Sequence, residues 1–126
     1  MERWKETIQR YSDGYMTLRP ETPISMSSVK EIAMEWRFYV VGGKVVAGSR
    51  YRQWGLPDIQ PIDADTAPWQ FAQEMVNQWQ PAEAFVLDVA SLLKSKELKV
   101  IEINCINSAG FYACDMRAVV EAIEKL

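Results

Sequence analysis

Two pairs of β-rich segments dominate the pattern of hydrophobic and polar positions along the chain. The segments EWRFYVV (residues 35–41) and KVVAGSRY (residues 44–51) flank the dipeptide Gly42-Gly43, which suits a two-residue primed turn. The segments AFVLDVA (residues 84–90) and KVIEIN (residues 99–104) flank a polar turn around Ser95. The pattern therefore predicts two β-hairpins.

Three helices are predicted from apolar residues at helical spacing. The first lies within residues 1–15, and the second runs over about residues 68–80, with Asp65 or Thr66 as its N-cap and Pro81 as its stop. The third lies close to the carboxyl end of the chain. The three stripes are Trp4, Ile8 and Tyr11; Phe71, Ala72, Met75, Val76 and Trp79; and Met116, Val119, Val120 and Ile123.

The connections complete the expected fold. The stretch over residues 53–68 carries three prolines and is predicted to be a loop. The order helix, hairpin, helix, hairpin, helix predicts an α+β domain with a mostly antiparallel β-sheet and helices packed on one face of it. We expect residues 1–126 to form this single domain.

The register of the first hairpin separates its two faces. A two-glycine loop followed by strict alternation places Arg37 opposite Gly48 and Glu35 opposite Arg50. The polar face is either a solvated surface with a Glu35–Arg50 ion pair worth about 0.2–1 kcal/mol, or an anion site where both arginines point the same way. The expected core face carries Trp36, Phe38, Val40, Val45, Ala47 and Tyr51, and the polar face carries Glu35, Arg37, Tyr39, Lys44 and Arg50.

The second hairpin places two carboxylates together. In its second strand Val100, Glu102 and Asn104 are expected to share a face, and a turn centred on Ser95 places Asp88 opposite Glu102. Like charges directly opposite each other destabilise a sheet. Three explanations stay open at this point: a different register, a Lys or Arg that neutralises the pair, or a divalent cation held by carboxylate and amide oxygens.

The composition narrows the possible chemistry. The chain has no histidine, which excludes Ser-His-Asp and Cys-His nucleophiles and every His-ligated metal site. Its net charge of −3 offers no basic surplus for a polyphosphate backbone, so nucleic acid is not expected as a partner.

Cys105 and Cys114 are interpreted as buried free thiols rather than a disulfide. Because the charged amino terminus lacks a signal peptide and no apolar stretch reaches membrane-spanning length, we expect a cytoplasmic protein with no membrane partner.

Three strings carry a resemblance to a known family. EWRFYVVGGKVVAGSRY (residues 35–51), FVLDVA (residues 85–90) and KVIEINCINSAGFY (residues 99–112) resemble the carboxyl-terminal half of an ATP-grasp domain, in a bacterial and phage clade of that superfamily. The L-D strand followed by the E-I-N strand is the specific part. The resemblance extends over residues 24–126, which we therefore interpret as an ATP-grasp-like subdomain.

The resemblance implies a function and a set of site residues. ATP-grasp enzymes use ATP and Mg²⁺ to convert a carboxylate into an acyl phosphate, which an amine or similar nucleophile then attacks; such chemistry needs positioning and charge neutralisation but no histidine. The substrate implied is a small-molecule or peptide carboxylate. The implied metal ligands are Asp88, Glu102 and Asn104; the implied catalytic residues are Arg37 and Arg50; the implied nucleotide-binding residues are Lys30, Arg37 and Asn107.

The chain also departs from the family pattern. A full ATP-grasp fold holds ATP between two subdomains, and nothing before Ile24 resembles the amino-terminal one. The chain is therefore interpreted as ligase-like if a partner chain or a second copy completes it. Two alternatives stay open: a non-enzymatic interaction domain, for which Trp54 is the expected exposed residue, and a metal-dependent nuclease of the PD-(D/E)xK type, which Asn104 disfavours because that position is basic in the nuclease pattern.

Overall fold

A five-stranded antiparallel sheet organises residues 22–24 and 26–126, the part of the chain that the computed structural model describes. In that part, the strands are β1 (Ile32–Val41), β2 (Lys44–Gln53), β3 (Leu56–Pro61), β4 (Ala84–Leu92) and β5 (Leu98–Asn104), and the helices are α1 (Ala67–Gln78) and α2 (Met116–Ile123). The strand order is β3-β2-β1-β4-β5. The predicted α+β class and antiparallel sheet are confirmed, while the helix predicted over residues 1–15 lies outside the described residues.

Both predicted hairpins are present, and the first one turns where the two glycines lie. Gly42 has a φ of +56° and Gly43 a φ of +77°, the left-handed values that a primed turn requires at both positions. The β4–β5 hairpin aligns Asp88 with Glu102, as predicted. Between Asp88 and Val89 the register shifts, so Val100 faces Val89 and lies on the opposite face from Glu102. The expectation that Val100 and Glu102 share a face was therefore wrong.

The register predicted for the first hairpin was wrong beyond its turn. Irregularities between Tyr39 and Val40 and between Glu35 and Trp36 add residues on the β2 side. As a result Arg37 lies opposite Ser49, and Arg50 lies opposite Trp36. Arg37 and Arg50 therefore point to opposite faces of the sheet, which corrects the prediction that they point the same way.

The first face of the sheet is apolar and is covered by α1. The helix begins after the predicted N-cap Thr66, and Ala72 and Val76 are its buried residues. Trp79, which was expected to extend the stripe, is its C-cap and is 63% exposed. The core on this face contains Trp36, Phe38, Val40, Val45, Ala72, Val76, Phe85, Leu87 and Val89.

The second face is covered by α2, so the helices lie on both faces rather than on one. Asp115 caps α2 by accepting hydrogen bonds from the backbone N–H groups of Arg117 and Ala118, and Val119 is its buried residue. The core on this face contains Tyr39, Ala47, Val86, Cys114 and Val119. The physical reason is that β1 and β4 lie centrally and bury consecutive residues, so both of their faces need cover.

Three further predictions can be compared with the structure. The proline-rich stretch contains a strand, β3, rather than only a loop, because Pro57 and Pro61 are tolerated on an edge strand. Trp54 is exposed, as expected. Both cysteines are free thiols, but only Cys114 is buried, and burial raises its pKa to about 12. Among the described residues no helix is both long and apolar enough to cross a membrane.

Candidate functional site

A buried ion pair joins the two central strands on the face covered by α2. Arg37 of β1 and Asp88 of β4 are directly opposite each other in the antiparallel ladder. Arg37 Nε donates to Asp88 Oδ1 at 2.9 Å, and Arg37 Nη2 donates to Asp88 Oδ2 at 2.6 Å. The Asp88 side chain is 0% exposed. This two-pronged geometry matches a guanidinium to a carboxylate and fixes the orientation of both groups.

Glu102 and Asn104 extend this pair towards solvent. Glu102 lies opposite Asp88 on β5, with its Oε1 atom 3.9 Å from Arg37 Nη2 and its side chain 55% exposed. Asn104 Nδ2 donates to Glu102 Oε1 at 2.9 Å. The polar cluster, defined as Arg37, Asp88, Glu102 and Asn104, therefore has a buried cationic end and an open end that presents oxygen atoms.

The turn after β5 packs on the buried end of the polar cluster. It begins with the 3₁₀ segment Ile106–Ser108 and then passes over β1 and β2. Arg37 Nη1 donates to Gly110 O at 3.3 Å, and the Tyr39 hydroxyl donates to Ala109 O at 3.2 Å. The backbone N–H of Ala113 donates to Ser49 Oγ at 3.2 Å. Three side chains from two strands thus hold this turn through its backbone.

Two tyrosines cover the guanidinium of Arg37. The rings of Tyr51 and Tyr112 are stacked, with centroids 4.8 Å apart and planes inclined by 9°. Arg37 Cζ lies 5.2 Å from the Tyr112 centroid and 5.7 Å from that of Tyr51, which are cation–π distances. Tyr51 also donates to Glu35 Oε2 at 2.9 Å. Tyr112 has a φ of +50°, a left-handed value that is uncommon for a bulky residue and is often found at functional sites.

Comparison with known protein families shows the family to which this chain belongs. A model of an ATP-grasp domain family, family 3 of the R-2-K clade, matches residues 1–123. The chain belongs to this family. Neither the comparison with curated proteins nor the comparison with solved structures gives a significant match. The ATP-grasp resemblance is therefore confirmed, and the family match also includes residues before Ile24, where the motifs gave no signal.

The ionisable groups of this ATP-grasp domain show how charge is distributed. Hydrogen bonds to Asp88 raise the pKa of Arg37 above its ordinary value. Burial raises the pKa of Asp88, although Arg37 opposes this effect. The Asn104 amide lowers the pKa of Glu102, and Asp88 lowers it further. The positive charge is thus held most firmly at the buried end, and Glu102 keeps its negative charge at the open end.

Two of the three explanations for the facing carboxylates can be compared with the structure. The register of Asp88 opposite Glu102 is the predicted one, and Arg37 neutralises the pair from the neighbouring strand. Among the described residues no group of three or more His, Cys, Asp or Glu side chains could hold a metal ion.

The ATP-grasp fold brings together only some of the implied site residues. Arg37, Asp88, Glu102 and Asn104 form the polar cluster. Arg50 lies on the other face and pairs with Asp58 at 2.6 Å, because the bulge in β2 turns it away from Arg37.

The remaining two implied residues flank the sheet. Lys30 precedes β1 and hydrogen-bonds to Ser28, whereas Asn107 is exposed in the 3₁₀ segment after β5. Lys30 and Asn107 therefore lie outside the polar cluster. Sequence reasoning missed Ser49, Tyr51 and Tyr112 as neighbours of Arg37, and the G-F-Y string was the one available signal for Tyr112.

Proposed function

We propose that this ATP-grasp domain binds ATP together with Mg²⁺ at the open end of the polar cluster. We further propose that it serves ATP-dependent joining of a carboxylate to an amine or similar nucleophile. The observation that carries the proposal is the alignment of Asp88 with Glu102 on adjacent strands, backed by a buried arginine, in a chain of this family.

The residues at the open end fit Mg²⁺ by their chemistry. Mg²⁺ is usually held by one or two carboxylates and by phosphate oxygens of the substrate rather than by a complete protein cage. Glu102 has a half-exposed carboxylate, and Asn104 directs its amide N–H group to that carboxylate, which leaves the amide oxygen as a possible ligand. Both carboxylate oxygens of Asp88 accept hydrogen bonds from Arg37. We therefore propose that Asp88 supports the metal site through Arg37 and does not ligate the metal directly.

In this proposal, some residues of the polar cluster supply charge and others fix the position of those charges. Mg²⁺, when bound, supplies neutralisation of the phosphate oxygens of ATP. Arg37 contributes a fixed positive charge behind the open end, and Asp88 holds the guanidinium in one orientation. Glu102 and Tyr112 are both exposed. We therefore propose that ligase activity requires a second subdomain over this face, supplied by a partner chain or by another copy.

The test is isothermal titration calorimetry with ATP in Mg²⁺ and in EDTA. We expect binding to depend on Mg²⁺ and to weaken at least about tenfold in Glu102→Gln, which removes the negative charge of one ligand, and in Asn104→Leu, which removes an oxygen ligand. Asp88→Asn is less informative, since it disturbs a fully buried pair and therefore also the fold.

The matched control is Glu97→Gln, which makes the same chemical change just before β5 and outside the cluster. We expect this variant to bind Mg-ATP like the unmodified protein, and thermal melting checks that all variants are folded. Mg-ATP binding that is equal in Glu102→Gln, Asn104→Leu and the control would rule the site out.

A further inference from the structure

The two edges of the sheet differ in how they resist pairing with another strand. The outer edge formed by β3 carries Pro57 and Pro61, which cannot donate hydrogen bonds and which block strand addition. The outer edge formed by β5 has no proline, and no described residue pairs with it. Its apolar side chains Val100, Ile101 and Ile103 are 39–41% exposed.

The β5 edge continues into an apolar groove on the face covered by α1. The groove has a volume of about 200 Å³ and lies between the carboxyl end of the helix and β5. Trp79 lines it and is 63% exposed, together with Met75, Val100 and Ile103. Edge and groove thus form one apolar surface, of the kind that a partner covers.

The charges on β5 indicate which partner fits. Lys99 lies opposite Ala90, and Glu102 lies opposite Asp88, so both charged side chains point to the same face of the sheet. Residues three positions apart in a regular strand point to opposite faces. The bulge near Ile101 adds one residue to β5, so Lys99 and Glu102 point to the same face. Leu98 and Ile103 correspondingly lie opposite Ser91 and Leu87 on the other face.

We propose that two copies of this chain associate through β5, antiparallel, about a two-fold axis between Val100 and Ile101. This register places Lys99 opposite the partner's Glu102 and Leu98 opposite the partner's Ile103, so that opposite charges meet on one face and apolar side chains meet on the other. Registers shifted by one residue place side chains of opposite faces against each other. A lysine on an edge strand usually opposes pairing, but here the self-paired register supplies its counter-charge.

The association changes the surroundings of the polar cluster. Within one copy, Lys99 makes a solvent-exposed ion pair with Glu97 at 3.5 Å, which is weak enough to exchange. In the dimer each copy places a lysine ammonium group beside the open end of the other copy's cluster. Pairing of the two β5 strands does not require nucleotide, so the dimer is tested without nucleotide.

The experiment is sedimentation velocity of the full chain over a range of concentrations. We expect a concentration-dependent dimer, and we expect Lys99→Glu and Glu102→Lys each to raise its dissociation constant at least about tenfold, since each creates two like-charge contacts per dimer. An equimolar mixture of the two variants restores both opposite-charge contacts, so we expect it to form a heterodimer of normal affinity.

The control Lys44→Glu makes the same charge change at an exposed position at the start of β2, and it should leave the dimer unchanged. A chain that stays monomeric at all concentrations would overturn the proposal. A dimer that is insensitive to both β5 variants, or a mixture of them that stays monomeric, would also overturn it. Circular dichroism shows which variants fold, and the mixing result is read from folded proteins alone.

Discussion

The two faces of the sheet exclude water in different ways. The face under α1 is filled by apolar side chains, with Phe38, Val40 and Val89 fully buried. The face under α2 also buries apolar groups, but it encloses Arg37, Asp88 and Ser49 among them. The first face gains stability from removing apolar area from water, whereas the second depends on every polar group finding its partner.

This difference determines how each face responds to substitution. An apolar core loses stability in proportion to the volume removed, and neighbouring residues compensate only in part. A buried ion pair adds little net stability over an apolar pair of the same size, but the loss of one partner leaves an unpaired charge in a dry environment. A second substitution is therefore expected to restore stability on the face under α2 and to lower stability further on the face under α1.

The largest expected effect comes from breaking the buried pair. Arg37→Met leaves the Asp88 carboxylate without its two hydrogen bonds, and we expect the free energy of unfolding to fall by about 3–5 kcal/mol. Adding Asp88→Leu to this variant removes the orphaned charge, and we expect most of the lost stability to return. Urea denaturation of the three proteins measures both changes.

Phe38→Ala is the matched substitution on the other face, also with an expected loss of about 3–5 kcal/mol. A second truncation of the neighbouring Trp36 should deepen that loss rather than reverse it. An Arg37→Met/Asp88→Leu protein that is no more stable than Arg37→Met alone would contradict this difference between the two faces.

A smaller effect is expected from adding one methyl group to each face. A Cβ at Gly48 would lie 2.8 Å from two ring carbons of Phe38 and 3.2 Å from Trp69, so Gly48→Ala overpacks the apolar face and should cost about 1–3 kcal/mol. A Cβ at Gly110, beside Arg37 and Tyr112, would have its nearest contact at 3.7 Å. Gly110→Ala should therefore change stability by about 0.5 kcal/mol or less. Equal melting temperatures for the two variants would contradict this contrast in packing.

The smallest effect is a dependence of stability on pH that belongs to the polar face. The pKa of Glu102 is lowered from its ordinary value of 4.5 in the folded chain, first by Asn104 and then by Asp88. The stabilisation is therefore fully present above pH 4.5 and is lost as the pH falls through the lower folded value. Glu102→Gln should flatten this acid limb of unfolding free energy against pH. An acid limb identical to that of the unmodified protein would contradict a contribution from Glu102.

Local sequence patterns predicted the elements well and their assembly less well. Gly42-Gly43 marked one turn, Thr66 marked the start of α1, and the polar residues around Ser95 marked the turn between β4 and β5. These features depend on neighbours in the sequence, so a single chain contains the information.

The bulges and the strand order were out of reach for physical reasons. The bulge that turns Arg50 away from Arg37 depends on how β2 packs within the whole sheet, and no local pattern marks it. The pairing of β1 with β4 brings together residues of two different hairpins, so Arg37 was identified as a cation without its carboxylate partner. The prolines at 57 and 61 indicated a loop because their tolerance depends on being at an edge, which is a property of the whole sheet.

The strand order also has a consequence for how the chain folds. Each hairpin closes over a short loop, but β1 and β4 meet through residues as distant as Arg37 and Asp88, which are 51 positions apart. Closing that distance costs chain entropy before the contacts repay it. We therefore expect the pairing of β1 with β4 to be the slow step of folding, and we expect the guanidinium and the carboxylate to lose their water only when these strands meet.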